Sequence, residues 1–328
     1  MGSPTSIIQP PRPGSSTPII PPRIARGGRL GIVSPSGPIK PERFRRGLER
    51  LGDAFELVIA PGVTAPRPPD LASYLAATDD QRAAELDAML ADPDIRAIVL
   101  ARGGYGLLRI LPRLDPDRLR RDPKPIVGFS DATALLAWAH AAGVRGIHGP
   151  MIQQLADLPD GDTAHLIALL TEPRPPGERP WRLEAHGGGI HRGPLVAANL
   201  TMASMLAGTP WPLPLSGAIA LLEEVGERPY ELDRYLTQLA LTGATAETAA
   251  VILGDLIRCD DPSPPAGGID PPDAPLSTVL ERLAAQALPA ATGAPVGHGT
   301  RNEALPFGAA CELDLDRRTL TILEAAVA

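Results

Sequence analysis

The side chains best suited to chemistry in this 328-residue chain stand in a turn after the short apolar run of residues 125–129. Ser130 and Asp131 follow that run directly, and a helix-forming stretch begins at Ala132. Several hydrolases expose a nucleophilic hydroxyl in this way, with a strand that delivers a serine into a tight turn at a helix N-terminus. A Ser-Asp pair after a strand is also typical of a helix cap, so these residues alone leave both roles open.

A nucleophilic serine needs a base held by rigid backbone, and histidine is the usual choice. His298 ends a short apolar run between two glycines, which allow a sharp turn and the close approach of a partner. His148 follows the helix after Ser130, where it either faces the same site or is buried against backbone. The other histidines fall in predicted helices or in a glycine-rich segment, where packing or solvation is expected: His140, His165, His186 and His191.

An orienting carboxylate would complete such a site, because it holds the imidazole and stabilises its charged form. Glu223 and Glu224 follow the apolar run of residues 218–222, so a predicted strand delivers them at its end. Neighbouring residues on a strand point to opposite faces, and only one of the two can therefore meet a given histidine. The residue types do not decide which one, and a pair of surface acids is the plainer interpretation.

The sequence Arg102-Gly103-Gly104-Tyr105-Gly106 ends another apolar run and is suited to an oxyanion site. Glycines let backbone N–H groups face a ligand, and the helix that follows adds the positive end of its dipole. A phosphate cradle is the alternative. The glycine spacing matches neither G-x-G-x-x-G nor G-x-x-x-x-G-K-[ST], which disfavours a nucleotide.

Alternating strands and helices must position these loops. The predicted strands are residues 29–34, 55–60, 95–101 and 125–129. The predicted helices are residues 41–51, 78–90 and 132–142. Continuous apolar strands that alternate with helices predict an α/β fold with a doubly wound, mostly parallel sheet. Such open sheets hold ligands at the carboxyl ends of their strands, where the Arg102 and Ser130 loops are both expected.

The length of the chain suits two domains of ordinary size. Residues 1–26 hold seven prolines and are expected to form a disordered leader. Residues 27–150 are predicted to form the N-terminal domain that carries the candidate serine, and residues 151–192, rich in Pro and Gly, an interdomain connection. Residues 193–328 are predicted to form a smaller C-terminal α/β domain that carries the candidate glutamate and histidine.

Composition and charge disfavour several classes of function. The net charge is −7, so there is no global basic field and no nucleic-acid partner is expected. The sequence has no run of 18 apolar residues and no recognisable secretory signal, which predicts a cytoplasmic protein without a membrane partner. Cys259 and Cys311 lie far apart without C-x-x-C spacing, so we expect two buried thiols rather than a zinc site or a disulfide.

Eight short segments, spread from about residue 29 to the C-terminus, carry a more specific signal together than any one of them carries alone. In chain order they are GIVSPS at 31–36, YLAAT at 74–78, RGGYG at 102–106, GFSD at 128–131, IHGP at 147–150, NLT at 199–201, LEEVGE at 222–227 with Tyr230 and Arg234, and GHG at 297–299 with Asn302. This ordered set resembles the LD-carboxypeptidases, serine peptidases that include murein tetrapeptide carboxypeptidase and the microcin C immunity peptidases. The family usually has aspartate where this chain has Glu224, a change that keeps the charge.

The resemblance implies a Ser-Glu-His triad. Ser130 matches the nucleophile, His298 the base, and Glu223 the orienting carboxylate, so the family pattern chooses between the two adjacent glutamates. It also implies an active site between the N-terminal and C-terminal domains, commonly in a homodimer.

Further groups are expected to bind the reacting peptide. The N–H of Asp131 and one from Gly103 or Gly104 would hold the oxyanion. A carboxypeptidase must also bind a terminal carboxylate, and either Arg102 or Arg234 is expected to supply the charge.

The reaction implied by the resemblance is hydrolysis of the amide between an L-centre (L-lysine or meso-diaminopimelate) and a terminal D-alanine in muropeptide tetrapeptides. It would serve cell-wall recycling and requires no metal or cofactor. The alternative is a microcin C immunity-like peptidase that cleaves aminoacyl or peptidyl nucleotide analogues. That alternative would need a base-stacking aromatic, and the connection offers only Trp181, so the muropeptide is the predicted substrate. A non-catalytic binding protein is the contrasting class, but pure binding does not need the three triad residues together.

Overall fold

The computed structural model of the chain describes residues 18–262, 271 and 273–328. In this part of the chain the strands form one six-stranded and one eight-stranded sheet. The strands are β1 (Arg29–Val33), β2 (Glu56–Ile59), β3 (Ile95–Leu100), β4 (Ile126–Gly128), β5 (Ile147–His148), β6 (Gly177–Glu178), β7 (Glu184–His186), β8 (Ile190–Asn199), β9 (Ile219–Val225), β10 (Ala250–Ile257), β11 (Ala290–Thr292), β12 (Leu305–Pro306), β13 (Ala310–Asp314) and β14 (Thr319–Ile322). The helices are α1 (Pro41–Gly52), α2 (Pro61–Thr64), α3 (Asp79–Ala91), α4 (Leu107–Ile110), α5 (Pro116–Arg121), α6 (Thr133–Ala141), α7 (Ile152–Leu155), α8 (Asp160–Thr171), α9 (Leu200–Leu206), α10 (Pro229–Leu241) and α11 (Ala274–Ala285), with 3-10 turns at Leu111–Arg113 and Ser130–Ala132.

The six-stranded sheet is the doubly wound, mostly parallel sheet that the sequence predicts. Its strand order is β12-β5-β4-β3-β1-β2, and every neighbour runs parallel except β12, which pairs antiparallel with β5. Leu30, Ile32, Ile98 and Val99 are fully buried. Helices cover both faces of such a sheet, which is why its strands read as continuous apolar runs.

Local signals start the two long helices beside this sheet. α1 begins at Pro41, whose fixed φ suits the first helical position, and it buries Phe44 and Leu51. α3 follows Thr78, whose side chain accepts a hydrogen bond from the N–H of Gln81. Both helices begin where the sequence predicts, so capping and apolar spacing account for them.

The eight-stranded sheet has the order β6-β14-β13-β8-β9-β10-β11-β7. Its centre, from β8 to β11, is parallel, and antiparallel strands flank that centre on both sides. The sheet curls around a small core of its own, formed by residues that include Leu195, Ile219, Leu221, Ile252, Leu313 and Leu320. The opposite face packs on α9, α10 and α11. The molecule is therefore a two-domain α/β protein, and β12 returns late in the chain to extend the first sheet.

The start of the described chain differs from the expectation of a disordered segment over residues 1–26. The N–H of Ile19 donates to the Gly143 carbonyl at 2.7 Å, and Ile24 is fully buried. These residues are ordered because they find backbone partners and bury apolar surface on the folded domain. The first 17 residues of the predicted leader lie outside the described residues.

Two further expectations concern membranes and thiols. Among the described residues, no helix combines the length and the apolar character that a bilayer crossing requires. Cys259 and Cys311 are separate, buried thiols, as predicted. Burial raises the pKa of Cys259 to about 11 and that of Cys311 to about 12, so neither is a nucleophile at neutral pH.

Candidate active site

The backbone at Ser130 is strained in a way that exposes its side chain. The residue has a φ of 62°, in the left-handed region that L-residues rarely adopt, and it opens the 3-10 turn between β4 and α6. Gly128 makes the turn possible, because a Cβ there would lie 2.6 Å from the Cβ of Ala132. The Ser130 side chain caps neither the turn nor α6. The helix-cap interpretation is therefore wrong for the Ser130 side chain, and strain of this kind is typical of functional sites.

The neighbouring carboxylate ties three loops together. Asp131 is buried, and its Oδ2 accepts hydrogen bonds from the Ser36 hydroxyl at 2.6 Å and from the Leu107 N–H at 3.0 Å. Burial raises the pKa of Asp131, and these two hydrogen bonds oppose only part of that effect. The loops after β1, β3 and β4 are thus fixed relative to one another at the carboxyl ends of the strands.

The glycine-rich loop after β3 passes directly beside Ser130. A Cβ on Gly103 would lie 3.2 Å from the Cβ of Ser130 and 3.3 Å from its Oγ. Gly104 has a φ of 111°, and a Cβ on it would lie 3.4 Å from the Cα of Gly37. Glycine is favoured at Gly103 by the close approach to Ser130 and at Gly104 by the positive φ. Gly103 therefore lies against Ser130, and Gly104 lines the same cavity.

The candidate base and carboxylate meet on the eight-stranded sheet. Glu223 lies at the end of β9, is fully buried, and its Oε2 is 2.6 Å from the Nδ1 of His298. Gly297 allows this contact, because a Cβ there would lie 2.9 Å from that oxygen. Burial lowers the pKa of His298, but the charge and the hydrogen bond of Glu223 outweigh it and raise the pKa above its ordinary value.

Glu224 has a structural role, which differs from that of Glu223. Its carboxylate accepts hydrogen bonds from Asn199 Nδ2 at 2.8 Å, from the N–H and the hydroxyl of Thr201 at 2.7 Å each, and from the Val225 N–H at 2.8 Å. These partners lie at the start of α9 and on the strand itself. Glu224 therefore fixes the helix to the sheet, whereas Glu223 faces the histidine, as the alternation of strand faces requires.

Replacing Glu224 with alanine is expected to lower the free energy of unfolding by about 3 kcal/mol, because four donors lose a buried anionic acceptor. Urea unfolding followed by circular dichroism measures this loss. Glu227→Ala is the matched control, since its half-buried carboxylate accepts from Tyr235 and should cost about 1 kcal/mol. Equal losses in the two variants would contradict the structural role of Glu224.

The loop that carries His298 is held by α7 and α8, two helices of the segment predicted as the interdomain connection. Gln154, in α7, donates from Nε2 to the Gly297 carbonyl at 2.8 Å and accepts from Asn302 Nδ2 at 2.8 Å. Asn302 Oδ1 accepts from the Gly297 N–H at 3.1 Å, and its own N–H donates to Asp162 of α8 at 3.0 Å. These contacts fix the histidine loop to α7 and α8, and α7 packs against α1 beside the N-terminal sheet. Gln154 carried no signal in the sequence, because glutamine at this position belongs to no catalytic or binding motif.

Ser130 and His298 line one cavity of about 470 Å³. The ring of His298 contacts that of Phe129, the residue before Ser130, with centroids 4.7 Å apart. Four cationic side chains also line the cavity, and none of its described lining residues is acidic; the four are Lys40, Arg43, Arg102 and Arg258. The arrangement joins a strained serine, an imidazole paired with a carboxylate, and a cationic wall suited to an anionic ligand.

Of the remaining predicted residues, Arg102 lines the cavity, whereas His148 and Arg234 do not. His148 is fully buried, burial lowers its pKa to about 3, and it does not line the cavity. Arg234 lies over the ring of Tyr230, 5.1 Å from its centroid, and also lies outside the cavity lining. Arg102 does line the cavity, and its Nη1 donates to the Pro38 carbonyl at 2.6 Å. Arg258 was not among the residues predicted for the site.

Comparison with known proteins agrees with this architecture. Residues 30–149 match the LD-carboxypeptidase N-terminal domain and residues 192–313 the LD-carboxypeptidase C-terminal domain. The chain belongs to the LD-carboxypeptidase family, a family of serine peptidases, and is therefore a hydrolase.

Named relatives fall into two groups. The murein tetrapeptide carboxypeptidase of Pseudomonas aeruginosa is 34% identical over 74% of this chain and 80% of its own length. The structure of MccF in complex with glutamyl sulfamoyl guanosine is 25% identical, has a TM-score of 0.82, and covers 95% of this chain and 100% of its own. The muramoyltetrapeptide carboxypeptidase from Oxalobacter formigenes is 26% identical, with a TM-score of 0.76 over 90% of this chain and 99% of its own.

Proposed function

We propose that this chain is a serine LD-carboxypeptidase. It hydrolyses the amide between an L-centre (L-lysine or meso-diaminopimelate) and the terminal D-alanine of muropeptide tetrapeptides. The observation that carries the proposal is the shared cavity of Ser130 and His298, together with the 2.6 Å contact of His298 with buried Glu223. A relative at 34% identity named for murein tetrapeptides supports the substrate class.

Proton transfer follows from the orientation of the imidazole. Because Nδ1 of His298 faces Glu223, its Nε2 is the nitrogen left to accept the Ser130 proton. The serine oxygen attacks the amide carbonyl, and the N–H of Asp131 with that of Gly103 or Gly104 holds the oxyanion. His298 then protonates the leaving amine of D-alanine. Water, deprotonated by the same imidazole, releases the peptide from the acyl-enzyme.

The cationic wall of the cavity favours a peptide that carries carboxylates. Lys40, Arg43, Arg102 and Arg258 line it without a described acidic neighbour in the lining. A muropeptide tetrapeptide carries a terminal carboxylate and the α-carboxylate of its γ-linked D-glutamate. Such a ligand offsets the positive potential that these side chains create.

The second candidate is cleavage of an aminoacyl or peptidyl nucleotide analogue, which the likeness to MccF in complex with glutamyl sulfamoyl guanosine favours. Such a ligand is best held by an aromatic ring on which its base stacks. Phe129 lines the cavity but is buried, and Trp181 packs on the curled sheet instead. These placements favour the muropeptide.

The cellular setting belongs to the same proposal. Release of D-alanine from a tetrapeptide is the reaction expected of cell-wall recycling, which would take place in the cytoplasm. A homodimer is the assembly that the family resemblance suggests. Size-exclusion chromatography with light scattering tests that assembly directly.

The deciding experiment offers three substrates to the full chain. They are L-Ala-γ-D-Glu-meso-diaminopimelate-D-Ala, the same peptide ending in L-Ala, and glutamyl sulfamoyl adenosine. We expect mass spectrometry to detect free alanine from the first peptide only, and none with an identically prepared Ser130→Ala variant. Cleavage of the nucleotide analogue alone would favour the second candidate. No product from any substrate would overturn both, and equal product from Ser130→Ala would remove Ser130 from the mechanism.

A further inference from the structure

Arg258 has an unusual backbone at the rim of the cavity. It follows the last residue of β10, is exposed, and has a φ of 53°. Four described residues other than glycine have a positive φ, and two of them, Ser130 and Arg258, line the same cavity. A left-handed conformation at a residue with a Cβ is strained and persists where the surrounding structure imposes it. The strain at Arg258 turns the chain at this point of the cavity wall.

The guanidinium of Arg258 is available for a ligand. Arg43 forms an ion pair with Asp157, and Arg102 donates to the Pro38 carbonyl. Within the described parts of the chain, Arg258 makes neither an ion pair nor a side-chain hydrogen bond. An exposed cation in a cavity wall without an acidic partner is free to receive an anion.

The end of β10 also lies against the loop of the candidate base. Asp255, on that strand, accepts a hydrogen bond from the Gly299 N–H at 3.0 Å and donates its own N–H to the Val296 carbonyl at 2.9 Å. These two contacts bracket His298 in the sequence. The charge of Arg258 also opposes the rise in the pKa of His298, which is consistent with a short distance between them.

The covalent geometry of the peptide fixes the position of the terminal carboxylate relative to the leaving nitrogen. In a carboxypeptidase the leaving nitrogen and the carboxylate share one Cα, so the nitrogen and the carboxylate carbon are about 2.5 Å apart. His298 delivers a proton to that nitrogen under the proposed mechanism. The cation that holds the carboxylate therefore has to stand on the His298 side of the cavity, and Arg258 is the cleft cation whose strand contacts that loop.

We infer that Arg258 binds the terminal carboxylate of the leaving residue and so restricts cleavage to the last bond of the peptide. This inference rests on the proposed function. A guanidinium suits the role because its planar fork donates two parallel hydrogen bonds to one carboxylate. Arg258 takes the role expected of Arg102 or Arg234. Arg234 does not line the cavity, whereas Arg102 does.

The test compares a free acid with an amide. The tetrapeptide and its C-terminal carboxamide are given to the wild type and to Arg258→Gly, a variant that removes the side chain without strain at φ 53°. We expect the wild type to prefer the acid by about 100-fold in kcat/KM, and Arg258→Gly to lose that preference because its kcat/KM for the free acid falls to the level of the amide. Arg258→Lys should restore part of the preference, because it keeps the charge and loses the fork.

Lys40→Ala is the matched control, since it removes one positive charge from the same wall. It is expected to keep the wild-type preference for the acid over the amide. If Arg258→Gly keeps the preference, or if Lys40→Ala alone loses it, the assignment of Arg258 is wrong although the carboxypeptidase activity stands. If the wild type releases no alanine from the tetrapeptide, the proposed function itself fails first.

Discussion

Replacing Ser130 with alanine is expected to lower kcat for D-alanine release by roughly 10⁴-fold or more, while the protein still folds. Under the proposed mechanism, the variant removes the attacking oxygen and leaves the proposed oxyanion donors and the cleft in place. Because the hydroxyl caps neither the 3-10 turn nor α6, its loss should change the free energy of unfolding by less than about 1 kcal/mol. Turnover of the tetrapeptide and urea unfolding of the two proteins measure both effects.

A covalent probe separates the nucleophile from a residue that only positions substrate. A fluorophosphonate phosphonylates a serine that an adjacent base activates, with fluoride as the leaving group, and peptide mapping by mass spectrometry locates the adduct. We expect the wild type and Ser216→Ala to be labelled at Ser130, because Ser216 does not line the cavity. Labelling at another serine, or retained turnover in Ser130→Ala, would contradict the assignment.

The sequence predicts the elements around the candidate site well where local signals decide the structure. The apolar run before Ser130 becomes a buried strand of the parallel sheet, and the turn after it begins the next helix. Thr78 and Pro41 start helices where capping and fixed φ require them. Because parallel strands end at one edge of their sheet, the loops at Gly103 and Ser130 had to converge.

Where a choice depends on long-range pairing, the residues alone do not decide it. Glu223 and Glu224 are both buried acids at one strand end, and only the contact with His298 separates them. Gln154 reaches that loop from a helix more than 140 residues away in the chain. The strained backbone of Arg258 likewise depends on its surroundings in the fold, because no sequence rule places a left-handed arginine.

Replacing Glu223 with glutamine is expected to reduce kcat/KM by roughly 10³-fold and to move its acid limb to lower pH. Only neutral imidazole can accept the serine proton, so activity rises with pH through the pKa of His298. Burial lowers that pKa, and the charge and hydrogen bond of Glu223 outweigh burial and raise it. With glutamine the effect of burial prevails, so the pKa falls and the limb follows it. The rate also falls because no charge stabilises the imidazolium that forms.

Folding stability gives a second readout that does not depend on turnover. In the wild type the pKa of folded His298 lies above its unfolded value of about 6.5. This group therefore stabilises the wild type fully below pH 6.5, and the contribution is lost as pH rises through the folded pKa. In Glu223→Gln the folded pKa lies below the unfolded one, so the contribution of His298 increases with pH instead. Urea unfolding at pH 5.5 and 8.5 measures the free energy of unfolding of both proteins. The wild type should exceed Glu223→Gln by more at pH 5.5 than at pH 8.5.

Asp255→Asn is the matched control for both measurements. Asp255 also lies beside the His298 loop, and asparagine keeps an oxygen that can accept from the Gly299 N–H. Its carboxylate does not contact the imidazole, whereas Glu223 approaches Nδ1 at 2.6 Å, so we expect a smaller shift of the acid limb than in Glu223→Gln. If the acid limb does not move in Glu223→Gln, then either the limb does not report the pKa of His298 or Glu223 does not raise that pKa. If Asp255→Asn produces the larger shift, the orienting carboxylate is Asp255, and the third position of the triad must be reassigned.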